Sequence, residues 1–104
     1  MRPYTRTIDL GVPDSVLDQI IKLIGKNIRK GKIIIYGSRA NGRYNKTSDI
    51  DIAIDSPDYP GFVKPLLEEE IDTLLKFDVL DFRKAKPEIK REIAEEGIVL
   101  YEKN

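Results

Sequence analysis

The chain has no cysteine, no histidine and no tryptophan among its 104 residues. Without thiol or imidazole, disulfides, iron–sulfur clusters, zinc sites built on Cys or His, and His- or Cys-based catalysis are all excluded. Any metal would have to be a hard ion held by oxygen, which leaves carboxylates as the strong candidate ligands. Long apolar runs are also missing. Uninterrupted apolar stretches reach only four residues, as in Ile33 to Tyr36, against the roughly 18 that a membrane-spanning helix needs. The N-terminus Met1-Arg2-Pro3-Tyr4 lacks an apolar signal core, so the expectation is a soluble cytoplasmic protein with no membrane partner. No Gly/Ser or Pro tract reads as a linker, and no repeat is evident. One domain over residues 1–104 is expected, with room for one modest core.

What is present is charge, and it is unevenly placed. The net charge is zero, from 18 basic and 18 acidic residues. Between Gln19 and Ser48 there are eight basic residues and no acid, whereas Asp49 to Asp81 carries ten acids against Lys64 and Lys76. Most of these are solvated faces. The pattern also suits a basic phosphate-holding segment beside an acidic metal-holding one, and a domain with no net positive charge is a poor candidate for gripping duplex nucleic acid.

Periodicity places the elements. Pro13-Asp14-Ser15 opens a helix, with Asp14 or Ser15 as caps and a stripe at Val16, Leu17, Ile20, Ile21, Ile24 and Ile28 that Gly31 closes. Lys32 to Tyr36 is a β-branched run that reads as a buried strand, broken by Gly37-Ser38. A short turn over Arg39 to Asn41 and a polar stretch lead to a second strand, Asp49 to Ile54. Leu67, Ile71, Leu74 and Leu75 fall at helical spacing, Phe77 to Phe82 reads as a third strand, and Pro87 starts a helix that Gly97 ends. Ile98 to Tyr101 is a strand or a docked tail. The order predicts a two-layer α/β domain with helices covering a central sheet.

The chemistry is concentrated in Gly37-Ser38, ten residues, then Asp49-Ile50-Asp51. Alternation on a strand points Asp49 and Asp51 to one face and Ile50, Ile52 and Ile54 to the other. Adjacent carboxylates stay ionised most easily with a divalent cation between them, and Mg²⁺ or Mn²⁺ draws further ligands from substrate phosphates. Gly37 would let backbone approach those phosphates, and Ser38 would offer a hydroxyl. Arg39, Arg43 and Lys46 add positive charge nearby. Where two metals clamp a displacement a third carboxylate is usual; the third strand offers Asp78 and Asp81, which alternation puts on opposite faces without saying which faces the metals. A lone Asp-x-Asp is common on a half-exposed strand, but the full pattern would arise by chance in a chain this long on the order of one time in a thousand. Ile at 50, 52 and 54 does not suit an EF-hand, and the Gly-Lys-Ser/Thr of a Walker loop is missing.

With its Gly-Ser-x10-Asp-x-Asp core, IIIYGSRANGRYNKTSDIDIAI resembles the signature of the minimal nucleotidyltransferases, the MntA-like antitoxin family of the DNA polymerase beta superfamily. FDVLDF and PEIKREIAEEGIVLYE extend the likeness over roughly Ile33 to Glu102. The resemblance implies a polymerase-beta-like α+β fold with a mixed central sheet and helices packed on it. It implies two Mg²⁺ or Mn²⁺ ions held by catalytic Asp49, Asp51 and Asp78, with Asp81 in reserve, and an NTP, ATP foremost, held by Gly37, Ser38 and Arg39. Attack of an acceptor hydroxyl on the α-phosphorus would expel pyrophosphate. Family members of this length are similar to the smaller half of toxin–antitoxin pairs whose other half is an all-helical HEPN protein, and some adenylylate a tyrosine of that partner. A partner chain or a homodimer is expected to complete the acceptor site. Transfer to a small molecule such as an aminoglycoside, or neutralisation of a partner by contact alone, is the competing expectation.

Overall fold

The β-branched and apolar runs do become the sheet, and their register decides what faces what. The computed structural model describes all 104 residues. Five strands, β1 (Arg2–Pro3), β2 (Gly31–Tyr36), β3 (Ile50–Asp55), β4 (Phe77–Asp81) and β5 (Ile98–Lys103), lie in the order β1-β5-β2-β3-β4. β2 is antiparallel to both β3 and β5, while β3 with β4 and β1 with β5 run parallel. The mixed sheet is thus as expected, and the final segment is a strand.

Alternation sorts the two faces. Ile33, Ile35, Ile50, Ile52, Ile54, Phe77 and Ile98 join a cluster of 19 buried residues with Val16, Leu17, Ile20, Leu23 and Ile24 of helix α1 (Asp14–Gly25) and Val63 and Leu67 of α3 (Val63–Glu70). On the opposite face Ile34, Tyr36 and Ala53 pack against Ile93 of α4 (Pro87–Glu96). The expected two layers are therefore three, because α4 covers part of the face that also carries Asp51. Between β2 and β3 a single helical turn, α2 (Ser38–Asn41), ends at Gly42 in the left-handed region, φ 82°.

Several boundaries differ from the periodicity, each for a physical reason. Pro13 itself takes the position before α1, and neither Asp14 nor Ser15 caps it by a side chain. α1 stops at Gly25 rather than running to Gly31; Ile28 is still buried, but from the connecting loop. α3 lies upstream of the expected helix. It ends at Glu70, Ile71 is extended (φ −101°, ψ 119°), and Leu74 is fully exposed, so helical spacing beyond Leu67 is coincidental. The third strand stops at Asp81, whose Oδ1 accepts the Arg83 amide and starts a 3₁₀ turn over Phe82–Lys84. β3 begins one residue late, at Ile50, and the start expected to be irregular contributes two residues to the sheet edge. No helix is long and apolar enough to cross a membrane.

Candidate active site

Three strands deliver one row of side chains. Tyr36 of β2 is the register partner of Asp51 of β3, and Asp51 is the partner of Asp78 of β4. Register partners share a face, so Tyr36, Asp51 and Asp78 stand side by side. This settles the ambiguity of β4: Asp78 shares the face of Asp51, while Phe77 and Val79 turn into the larger core and Asp81 follows their side. Asp49 is exposed just ahead of β3, with its neighbour's amide, Ile50 N–H, donating to the Lys76 carbonyl at 2.8 Å.

The Gly-Ser bend lies against this row. Gly37 has φ 72° and ψ −150°, and a Cβ built there would overlap the Asp51 Oδ2 atom. Glycine is thus required twice, by the backbone angle and by the carboxylate it admits. Half-buried Ser38 makes no side-chain hydrogen bond within the chain. Its hydroxyl is free to meet a ligand. Arg43 and Lys46 are exposed on the following loop.

Arg39 goes elsewhere. Its side chain is 1 % exposed, and its guanidinium donates to the carbonyls of Leu10, Gly11 and Ser48. It meets the site through its field and not by contact.

Burial pushes the Asp51 carboxyl up to about 6, and the charges of Asp78, Asp49 and Glu92 push the same way, with Arg39 opposing them. Burial also raises Tyr36, again with Asp51, Asp78 and Glu92 adding to it, so its phenol stays protonated at neutral pH. Glu92, exposed on α4, and Tyr36 escape the sequence reading. Tyr36 had a usable signal, since it precedes Gly37 on a strand and alternation puts it on the face opposite Ile35; Glu92 had none, because its place depends on how α4 docks.

The donor set is all oxygen and anionic, which is the chemistry a hard divalent ion requires. The carboxylates feel one another's charge, yet no group of three converges closely enough to hold an ion as the side chains stand. Both statements hold because charge acts over longer range than coordination. Asp49 and Asp78 are exposed and can turn about their side-chain bonds.

A family model described as polymerase beta, nucleotidyltransferase matches residues 18–104. Among curated proteins there is no match. Among solved structures the chain is similar to one in a toxin–antitoxin with AMP-PNP (27% identity, 82% of this chain and 72% of that one, TM-score 0.67). It is also similar to one in a mutant MntA-HpeT toxin–antitoxin (25%, 82% and 72%, TM-score 0.67). It shares its fold with a chain of the tri-AMPylated Shewanella oneidensis HEPN toxin in complex with MNT antitoxin (24%, 85% and 71%, TM-score 0.62). The resemblance read from the motif is borne out, and a match that spans all but the first 17 residues decides the matter: the chain belongs to the polymerase beta nucleotidyltransferase family.

Proposed function

We propose that the chain moves AMP from ATP onto a tyrosine hydroxyl of an all-helical HEPN-type partner, as the antitoxin half of a toxin–antitoxin pair, with the help of divalent metal ions. The observation that carries this reading is the Gly37-Ser38 bend lying directly against Asp51, whose register partner is Asp78. Support for ATP and for the partner comes from the similar chains that occur in toxin–antitoxin complexes, one of them with AMP-PNP.

Asp49, Asp51 and Asp78 would hold the ions, and Gly37 with Ser38 the triphosphate. Two Mg²⁺ or Mn²⁺ ions, when bound, supply neutralising charge to the phosphates and polarise the reacting oxygens. The residues themselves do the following. Asp51, at about 6, is mostly ionised at neutral pH, so burial does not cost it its ligand charge. Gly37 keeps side-chain bulk out of the space beside that carboxylate, and the Ser38 hydroxyl offers a hydrogen bond to a phosphate oxygen. Tyr36 remains a neutral phenol at the base of the site. In the transfer the acceptor hydroxyl gives up its proton to solvent, a bond forms between its oxygen and the α-phosphorus, and the bond to pyrophosphate breaks, so that pyrophosphate leaves with the bonding pair.

The test is incubation of the chain with its HEPN-type partner, Mg²⁺ and labelled ATP, followed by intact mass of the partner. Addition of AMP is expected, and its abolition by Asp49→Asn or Asp51→Asn. Near-normal turnover in both variants would remove the metal assignment. The similarity to chains in toxin–antitoxin complexes also suits a second reading, neutralisation by contact alone. A neutralised partner of unchanged mass would select it, while efficient modification of an aminoglycoside by the chain alone would select a small-molecule acceptor.

A further inference from the structure

Arg39 sits two residues after the glycine of the bend, where a cation facing phosphate is the natural expectation. Its surroundings say otherwise. Nε and Nη2 both donate to the Ser48 carbonyl, at 3.2 and 2.8 Å. Nη1 donates to the carbonyls of Leu10 and Gly11, each at 3.0 Å. No carboxylate pairs with it. The planar fork of an arginine thus joins two segments far apart in the chain through three carbonyl groups. The guanidinium carbon lies 4.9 Å from the centre of the Tyr44 ring, which adds a cation–π attraction. That ring in turn covers Gly11, where a Cβ would overlap it. Ring, guanidinium and carbonyls form one closed unit, and a ligand could reach the cation only by breaking it.

We infer that Arg39 is a positioning residue that clamps the entry to β3 and so sets the placement of Asp49 and Asp51, on the site reading proposed above. The backbone around Asp49 is held on both sides. On the far side, Ile50 N–H donates to the Lys76 carbonyl and belongs to the sheet. On the near side, the Ser48 carbonyl is held by Arg39. This second hold lies outside the sheet; the other bonds of Ser48, its N–H to the Asn45 carbonyl and its Oγ accepting the Asn45 amide, stay within the same loop, so Arg39 is what ties the near side of Asp49 to the N-terminal segment. Misplacement of a reacting geometry by about 1 Å costs on the order of 100-fold in rate, so the loss belongs in kcat. A residue that held the triphosphate directly would show its loss in the KM for ATP.

Arg39→Lys keeps the charge and gives up the fork. Two readouts decide the matter: hydrogen exchange at the Gly11, Ser48 and Ile50 amides, and steady-state kinetics against ATP. Exchange at those amides is expected to quicken by at least about 10-fold with α1 and β2 unchanged, while kcat falls about 10- to 100-fold and KM for ATP stays within about 2-fold. Unchanged exchange there, or a raised KM with kcat intact, would overturn the inference. Should Arg39→Lys fail to fold, Tyr44→Leu, which keeps the guanidinium and removes the ring above it, is expected to give the same local exchange in a folded chain; if it too unfolds, or leaves those amides as protected as before, the clamp is overturned. If the wild-type chain transfers no nucleotide, the proposed function fails on its own, and exchange still tests the clamp.

Discussion

Asp51 binds its proton more tightly in the folded chain, near pH 6, than at its ordinary value of 3.8. The folded state therefore carries more protons than the unfolded one between about pH 4 and 6, and stability falls as pH rises through that window. Converted in full, the displacement is about 3 kcal/mol; for a half-exposed carboxyl facing screening solvent about 1 kcal/mol is expected. Asp51→Asn should accordingly be the more stable protein at pH 7.5 by about that amount in urea denaturation, with the advantage vanishing below pH 4. Mg²⁺ should raise the Tm of the wild type at pH 7.5 and leave that of Asp51→Asn nearly unmoved. At this scale the motif was legible, since Gly37, Ser38, Asp49 and Asp51 owe their proximity to the antiparallel pairing of β2 with β3, which brings the two ends of one connection together, and to strand alternation. Arg39 was not. Its neighbours Leu10 and Gly11 lie 28 or 29 residues away, and nothing local announces that an N-terminal segment will cover it.

Pairing between elements decides which carboxylate of β4 shares the face of Asp51. Alternation left Asp78 and Asp81 equivalent, and only the β3–β4 register, Asp51 opposite Asp78, separates them. Asp78→Asn is expected to reduce turnover by at least about 100-fold without unfolding the chain. Asp81→Ala, which removes the cap on the Arg83 amide, should cost about 1 kcal/mol of stability and leave turnover near wild type. Parallel kinetics and denaturation curves on the two variants check both halves. The misplaced α3 teaches the complementary point. Leu67, Ile71, Leu74 and Leu75 keep helical spacing, but spacing counts only while the backbone stays helical, and it leaves the helix at Ile71. Leu74→Ser should then shift stability by no more than about 0.5 kcal/mol.

Across the whole molecule the sheet divides two unequal cores, 19 buried residues beneath α1 and α3 and four around Ile93. The candidate site occupies the lightly covered face, and Tyr36 at its base packs in the smaller cluster with Ile93 of α4. Ile93→Ala should cost about 2–4 kcal/mol, a large share of the roughly 5–10 kcal/mol expected of a small domain, and chevron kinetics would report it. α4 also supplies Glu92 to the neighbourhood of Asp51, so loosening it should alter the site as well as the fold. The apolar periodicity of the strands revealed the sheet, but the existence of a second, smaller core followed only from where α4 came to rest.

Tyr36 has one more use. With indole absent, ultraviolet emission from this protein comes chiefly from its five tyrosines, and Tyr36 is the one set among Asp51, Asp78 and Glu92. Carboxylates quench an excited phenol, and a cation that engaged them would relieve the quenching. On the metal reading proposed above, the molecule would carry a built-in optical gauge, brightening as ions load, that needs no dye.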